Sequence, residues 1–312
     1  MLKILWRWVC GAVPVLLAVS AVTFVLSALV PGNPARTILG ASASQAQVAA
    51  LNKQLGLDEP LPVRYWHWLS AALHGQLGES IITGQSVTSA IAGRIGVTVS
   101  LIVGAVAVAA VLGIGLGLIS AVRGGWLGKV VDVISLIGIA VPNFWFALVL
   151  VSTFAVRLQI FPATGYVPLG QSPAQWLQSL VLPVLTLAIP AAAPVAKQIR
   201  DGVLTELGRE YVRVLRARGA SPREILLKHV LRNAAAPIIT MLGIIAVVLL
   251  GGTVLAETVF VLPGLGGLAV SSTASHDIPM IQGLTVVFTM VVMVINLVIE
   301  FSYSLVNPKV RS

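Results

Sequence analysis

Hydrophobic residues are concentrated in six long runs of the chain, and polar segments rich in proline and glycine separate these runs. A helix needs about 20 predominantly apolar residues, within a range of about 17 to 25, to cross the hydrocarbon core of a bilayer. The pattern therefore predicts an all-α polytopic membrane protein with six transmembrane helices. The runs cover residues 9–30, 97–122, 133–156, 180–196, 235–256 and 283–306.

The first run follows Lys3 and Arg7, as the apolar part of a signal peptide would. However, the run is long for a signal peptide, and no cleavage site of small residues directly follows it. We therefore interpret residues 1–30 as the first transmembrane helix.

Residues 31–95 form the longest polar segment between two runs. Residues 45–55 have the spacing of a short amphipathic helix, and Tyr65, Trp66 and Trp68 are typical of side chains at a membrane interface. We interpret residues 31–95 as an extracytoplasmic insertion, too small to be a separate large domain. The rest of the chain is a five-helix core at 96–306, which includes a cytoplasmic loop at 198–234, and a tail at 307–312.

Several residues inside the runs modify the predicted helices. Pro142 breaks the third run, and three prolines should kink the fourth. Gly113 and Gly117 in the second run have the spacing that lets helices approach closely in lipid. No strand precedes these two glycines, which argues against the alternative of a nucleotide-binding loop. The prolines of the fourth run are Pro183, Pro190 and Pro194.

Composition supports a membrane protein, and the distribution of charge predicts its orientation. The chain is 57% hydrophobic and 10% charged, whereas soluble domains average about 25% charged residues. Fifteen of the twenty Lys and Arg residues fall on one side of the six predicted spans. Because cytoplasmic loops carry an excess of these residues, we assign that side and both termini to the cytoplasm. The single cysteine, Cys10, excludes an intrachain disulfide.

No residue pattern in the chain indicates catalysis, a metal site or a bound cofactor. The four histidines lack carboxylates at metal-ligand spacing, and we interpret the pair His276–Asp277 as part of a solvated loop. The glycines Gly264, Gly266 and Gly267 follow a proline, and we interpret them as a turn.

Asp, Glu, Lys, Arg and His are absent from the first five runs, and Glu300 lies near the predicted cytoplasmic end of the sixth. Transporters coupled to protons or ions usually keep such residues inside the membrane. If this chain moves a solute, an outside motor supplies the energy or transport is passive.

Residues 208–237 form the most strongly charged long segment, and their pattern predicts a helix-turn-helix. Gly219 should end the first helix in the left-handed conformation that glycine adopts readily. Ser221 is then the N-cap of the second helix, Pro222 suits its first position, and Glu224 completes a capping box.

The second helix of this segment carries an apolar stripe that suits a protein partner. Ile225, Leu226, His229 and Val230 share one face at α-helical spacing. A simpler interpretation is that a basic segment beside the membrane attracts anionic lipid. We favour a protein partner, because setting the membrane topology would not require a glycine helix stop, a capping box and an apolar stripe in the same segment. Nucleic acid is not an expected partner, because the membrane tethers both ends of the segment.

This segment resembles the cytoplasmic loop of permease subunits in binding-protein-dependent ABC importers. YVRVLRARGASPREILLKHVLRNAAAPIIT is similar to the EAA loop of B-type permeases in the dipeptide/oligopeptide/nickel family. Gly219, Leu231 and Pro237 match positions of that loop. Arg213 and Arg232 replace the glutamate and the first proline of many importers. Similar segments occur in order along nearly the whole chain: PGNPAR, GLDEPLPVRYWHWL, GQLGESIITGQSV, VPNFWFALVLVSTFAVRLQIFPATGY, ETVFVLPGLG and NPKVR.

The resemblance implies a type I ABC importer permease fold and a role in ATP-driven peptide import across the cytoplasmic membrane of a prokaryote. It implies four kinds of partner: a second, C-type permease subunit, two cytoplasmic ATPase subunits, an extracytoplasmic peptide-binding protein and membrane lipid. ATP and Mg would be bound by the ATPases, so this chain would be a non-catalytic subunit without a cofactor.

The resemblance also makes residues 221–230 the coupling helix. Two alternatives remain open from the residues themselves: a self-contained channel or facilitator with a basic lipid-binding loop, and a membrane scaffold. The residues expected to act in ATPase coupling are Gly219, Ala220, Ser221, Pro222, Glu224, Ile225, Leu226 and His229.

Overall fold

A computed structural model describes residues 2–29, 34–40, 42–54 and 56–306. These residues form helices and one isolated bridge between Glu79 and Ser86, without a strand. The chain divides into two compact units, Met1–Val97 with Pro263–Val294 and Thr98–Leu262 with Ile295–Ser312. The regular secondary structure of the described residues is therefore helical, as predicted, and turns and loops connect the helices.

The helices extend beyond the predicted runs at most ends. Two segments, Val151–Arg157 and Ile225–Val230, are π-helical. The α-helices are α1 (Leu2–Leu29), α2 (Pro34–Leu39), α3 (Gln45–Gln54), α4 (Leu61–Leu73), α5 (Val87–Arg123), α6 (Gly125–Ala140), α7 (Asn143–Leu150), α8 (Pro173–Leu207), α9 (Glu210–Ala217), α10 (Pro222–Glu224), α11 (Leu231–Val259), α12 (Leu265–Ala274) and α13 (Ile278–Val306).

Five of the predicted spans correspond to helices long and apolar enough to cross a membrane: α1, α5, α8, α10–α11 and α13. The third run is divided, as predicted, because α6 ends at Ala140 and α7 begins at Asn143. In contrast, α8 continues through all three of its prolines. The tail at 307–312 lies outside the described residues.

In the first unit, α4 of the insertion packs against α1. The hydroxyls of Tyr65 and Ser20 are 2.9 Å apart, and the Tyr65 ring meets the Phe24 ring edge-on at 5.5 Å. Tyr65 therefore has a packing role in addition to its predicted interfacial character. Trp66 is 65% exposed, and the short helix predicted at 45–55 is present as α3.

The turn predicted at Gly264, Gly266 and Gly267 is wrong for the last two glycines, which lie inside α12. Leu265 at the start of α12 is fully buried in an apolar cluster. Packing thus outweighs the low helix propensity of glycine. The cluster also contains Val87, Ala90, Ile91, Met280 and Leu284.

The solvated loop predicted at His276–Asp277 is wrong for Asp277, although His276 is exposed. Asp277 is only 4% exposed. Its carboxylate accepts hydrogen bonds from the Ser80 hydroxyl and from the Ile81 amide at 3.3 Å. Asp277 thus fastens the segment after α4 to the start of α13.

In the second unit, α8 is the central helix. It packs against α6, α7 and α11. In the most apolar stretch of α8, 67% of the residues are buried inside the protein, compared with 28% in the corresponding stretch of α10–α11. On the half of α8 that the charge distribution predicts to be cytoplasmic, the Arg200 guanidinium donates hydrogen bonds to both carboxylate oxygens of Asp132 from α6 at 2.9 and 3.0 Å.

The close helix packing predicted at Gly113 and Gly117 is confirmed. A Cβ atom at Gly113 would lie 2.5 Å from the Val195 side chain, and one at Gly117 would lie 2.6 Å from the Ala196 carbonyl oxygen. Only glycine lets α5 approach α8 this closely.

Candidate functional site

The turn between α9 and α10 has the predicted backbone. Gly219 has φ +82°, in the left-handed region that most residues avoid. The amide of Gly219 donates to the Arg216 carbonyl at 3.0 Å, and that of Ala220 donates to the Leu215 carbonyl at 3.1 Å. These two bonds satisfy carbonyl groups that the end of a helix leaves without partners.

Half of the predicted capping box is present at the start of α10. The Ser221 hydroxyl accepts a hydrogen bond from the Glu224 amide at 3.2 Å, and Pro222 occupies the first turn. The Glu224 carboxylate instead accepts from the Lys228 ammonium at 2.8 Å, one helical turn later. The serine therefore caps the helix while the carboxylate stabilises its surface.

The apolar stripe predicted for a partner is partly wrong. Ile225 is 2% exposed and Val230 is fully buried, so neither side chain is available to another protein. The physical reason is that the predicted face turns inward, because the π-helical segment from Ile225 to Val230 packs against α8. Leu226 and His229 are half-buried, whereas Leu227 is 64% exposed.

We did not predict from the sequence a hydrogen-bond network beneath this turn, which we call the anchor network, although the i,i+3 spacing of Glu206 and Arg209 is a local signal for part of it. Glu206, near the end of α8, is 8% exposed. Its carboxylate accepts from the Arg209 Nε and the Tyr211 hydroxyl, both at 2.8 Å. The Tyr211 hydroxyl in turn accepts from the Asn233 amide group on α11 at 3.2 Å. This network fastens α9 to the end of α8 and to the start of α11.

Electrostatics in the network favour the neutral phenol. Burial raises the pKa of the Tyr211 hydroxyl above its ordinary value, and the Glu206 carboxylate adds to this rise. Tyr211 therefore stays protonated and donates to Glu206 throughout the physiological pH range.

The outer face of this region is basic and contains isolated apolar side chains. Val214 is 51% exposed and Leu227 is 64% exposed, and the arginines around them are exposed as well. The nearby Glu224 carboxylate is already paired with Lys228. We call this surface the arginine-rich tip and define it as Arg213, Val214, Arg216, Arg218, Arg223 and Leu227.

The arginine-rich tip is suited to binding and not to covalent chemistry. It contains no nucleophile or general base beside an activating partner. Among the residues that the structure describes, no group of three or more His, Cys, Asp or Glu side chains has an arrangement able to hold a metal ion.

Two family models cover most of the chain. Residues 113–312 match the "binding-protein-dependent transport system inner membrane component" family. Residues 1–102 match the model for the N-terminal part of the same kind of membrane component.

Known relatives align along nearly their whole length. A putative peptide transport system permease of Brucella abortus is 38% identical over 312 residues, which is 100% of this chain and 99% of the relative. A probable peptide ABC transporter permease of Sinorhizobium fredii is 37% identical over 98% of each chain. A glutathione transport system permease of Salmonella choleraesuis is 36% identical over 100% of this chain and 99% of the relative.

A solved structure shares the fold. A chain of the MetNI methionine ABC transporter, in an inward-facing conformation, aligns with a TM-score of 0.55 and 17% identity. The alignment covers 70% of this chain and 96% of that chain.

Proposed function

The chain belongs to the family of inner membrane components of binding-protein-dependent transport systems, and we propose that it is the permease subunit of an ATP-driven peptide importer. The observation that carries the proposal is identity of 37 and 38% to peptide permeases over at least 98% of this chain. The glutathione permease, 36% identical, supports the same substrate class because glutathione is itself a short peptide.

The family implies a solute-binding protein and ATPases as partners. In the complex that we propose, this chain and a second, C-type permease form the pathway, and two cytoplasmic ATPases power it. ATP and Mg bind to the ATPases, and this chain is not catalytic. An extracytoplasmic peptide-binding protein delivers the substrate.

The arginine-rich tip is the surface that we assign to the ATPase. Its four arginines favour a partner groove lined with acidic side chains, and the exposed Val214 and Leu227 supply apolar contact. Gly219 and Ala220 form the turn of this surface, and Ser221 with Pro222 fixes the start of the following helix. Ile225 supports the surface from inside, because it is buried.

Movement of an ATPase would reach the membrane through the anchor network. Glu206 on α8, Tyr211 on α9 and Asn233 on α11 are joined by hydrogen bonds of 2.8 and 3.2 Å. A displacement of α9 would therefore move the ends of two spanning helices together. Rigid-body movement of packed helices is a common way to switch a protein between two states.

Charge reversal tests this assignment. The Arg213→Glu/Arg216→Glu variant should recover at least about tenfold less ATPase than the wild type when tagged chain is purified from mild detergent. Arg157→Glu is the matched control, because Arg157 is also exposed but lies at the end of the π-helix after α7.

The outcomes separate the two parts of the proposal. Loss of ATPase from the double variant alone supports docking on the arginine-rich tip. Equal recovery from wild type and double variant would overturn the docking surface. Purification of the wild-type chain without any ATPase, under conditions that preserve a related importer, would overturn the importer assignment and favour a channel or a scaffold.

A further inference from the structure

A cavity of about 190 Å³ lies between α5, α6 and α8. Apolar side chains form nearly all of its wall, including Leu116 and Ile119 from α5, Ile134 from α6 and Ala192 from α8. Engineered cavities of similar size and lining stay dry and bind apolar molecules. The natural occupant of such a wall is therefore a hydrocarbon group.

One polar side chain lines this cavity. Ser120 is 1% exposed, and its hydroxyl has no hydrogen-bond partner within the described part of the chain. A buried hydroxyl without a partner costs about 1 to 3 kcal/mol. An occupant that offers one acceptor oxygen beside its hydrocarbon chain would remove this cost.

Cationic side chains adjoin the cavity residues along the chain, because Arg123 lies one turn beyond Ile119 and Ser120 on α5 and Lys129 directly precedes Val130 on α6. Arg123 follows Ile119 by four residues, and Trp126 precedes Val130 by four, so each shares a helix face with a cavity residue. Trp126 is 71% exposed, and both Arg123 and Lys129 are exposed.

The nearby acidic group does not oppose an anion here. The Asp132 carboxylate is bound by the Arg200 guanidinium at 2.9 and 3.0 Å and lies 3.8 Å from the Lys197 ammonium. Arg123 and Lys129 therefore leave a net positive charge at the end of the cavity.

We propose that this cavity is a binding site for one anionic phospholipid. Along α5, Arg123, Ser120 and Leu116 follow one another at intervals of about one turn, or about 5.4 Å. This order matches the lipid itself: the phosphate lies at Arg123 and Lys129, an ester carbonyl oxygen accepts from Ser120, and an acyl chain contacts Leu116 and Ile134. Trp126 lies beside the headgroup, where tryptophan is favoured in membrane proteins.

A second permease subunit is the competing occupant, because it would also cover an apolar groove. The cations favour the lipid. An anionic headgroup needs positive charge at one end of a hydrocarbon site, whereas an apolar helix from another protein does not. The proposal does not depend on the peptide substrate or on the ATPase contact.

Native mass spectrometry of the purified complex tests the site, with phosphatidylglycerol and phosphatidylcholine as probes. The wild type should retain one phosphatidylglycerol in preference to phosphatidylcholine. The Arg123→Gln/Lys129→Gln variant should bind it about 30-fold more weakly, because each cation near a membrane surface contributes about 1 kcal/mol. Arg157→Gln should bind as the wild type does.

Cavity filling provides an independent variant. Ala192→Phe should abolish retention by occupying the apolar wall, whereas Val103→Phe on the exposed side of α5 should not. The charge variant changes only exposed residues, so it keeps the test valid if Ala192→Phe fails to fold. Equal retention of phosphatidylglycerol by wild type and charge variant would overturn the proposal.

Photo-crosslinking shows whether a lipid or a second protein chain occupies the cavity. Phosphatidylglycerol with a diazirine on its acyl chain should label peptides that contain Leu116, Ile119 or Ile134. Uniform labelling of all lipid-facing helices would contradict a defined site. Crosslinks from a photoreactive residue at Ile134 to another protein chain, without lipid labelling, would assign the groove to a subunit interface.

Discussion

Gly219 is the residue on which the geometry of the arginine-rich tip depends most directly. Its φ of +82° is strained for a side chain, although a Cβ atom there would meet no atom within 4 Å. A substitution therefore acts through the backbone and not through a clash. A β-branched residue resists this conformation strongly, whereas asparagine tolerates it.

We expect Gly219→Val to uncouple transport from ATP hydrolysis, because the strained turn would displace α9 from the ATPase. The measurement is peptide uptake per ATP hydrolysed in reconstituted vesicles, which should fall at least several-fold. Gly219→Asn should keep most of the wild-type ratio. Normal uptake by the valine variant would argue against the role of this turn.

Tyr211 links stability to alkaline pH. Burial raises the pKa of Tyr211 in the folded protein above its value of about 10 in the unfolded chain. The contribution of Tyr211 to the free energy of unfolding is therefore complete below the unfolded pKa and is lost as pH rises through the folded pKa. We expect Tyr211→Phe to lower the free energy of unfolding by about 1 to 2 kcal/mol at neutral pH, because the Glu206 carboxylate loses a hydrogen-bond donor.

Thermal unfolding in detergent, followed from about pH 7 to pH 12, checks this expectation. The wild type should be more stable than Tyr211→Phe at neutral pH, and this difference in stability should disappear only at alkaline pH. Tyr166→Phe, in the loop between the π-helix and α8, is the control and should leave the free energy of unfolding unchanged. A stability difference that stays unchanged up to about pH 12 would contradict this role of Tyr211.

Local signals were sufficient for some residues and not for others. Gly219 and Ser221 were predictable, because a glycine stop and a serine cap act through their own neighbours along the chain. Asp277 was not, because its partner Ser80 is 197 positions away. The burial of Glu206 and Ile225 likewise depends on packing that no short sequence window contains.

At the scale of elements, the contact between α5 and α8 depends on the absence of side chains. Gly117 faces the Ala196 carbonyl oxygen, which is backbone and cannot rotate away. Gly115, two residues earlier, has no atom within 4 Å of a Cβ position. Gly117 and Gly115 therefore provide a test position and a control position on the same helix.

We expect Gly117→Ala to destabilise the protein by about 1 to 3 kcal/mol, as overpacking in a close contact usually does. Gly115→Ala should be neutral or slightly stabilising, because alanine has the higher helix propensity. Unfolding midpoints of the two variants in the same detergent provide the measurement. Equal midpoints would show that the helices separate at little cost.

The sequence predicted which segments are helical better than where each helix ends. Apolar length defined the runs, but α8 and α10–α11 both continue into the charged region, where helix propensity and the anchor network keep them helical. The two π-helices were not predicted, because apolar spacing does not distinguish a π-helix from an α-helix. The helix α12 was not predicted, because Leu265 packs against residues distant along the chain. The predicted break at Pro142 is present because proline acts locally.

At the scale of the whole molecule, family membership and fold agree with the absence of a coupling relay in the predicted spans. The buried carboxylate of Glu257, in the last turns of α11, accepts from the Thr98 hydroxyl at 2.7 Å. This hydrogen bond links α11 to α5. In the importer that we propose, the partner ATPases supply the energy for uphill transport.

Uptake of a labelled dipeptide into vesicles distinguishes an ATP-driven peptide importer from a passive facilitator. The vesicles contain this chain with its co-purified permease and ATPase partners, with ATP enclosed and the binding protein outside. We predict accumulation above the external concentration, which stops without ATP or binding protein and falls sharply in Arg213→Glu/Arg216→Glu. Equilibration of the peptide by this chain alone, with no effect of ATP, would instead identify a passive facilitator.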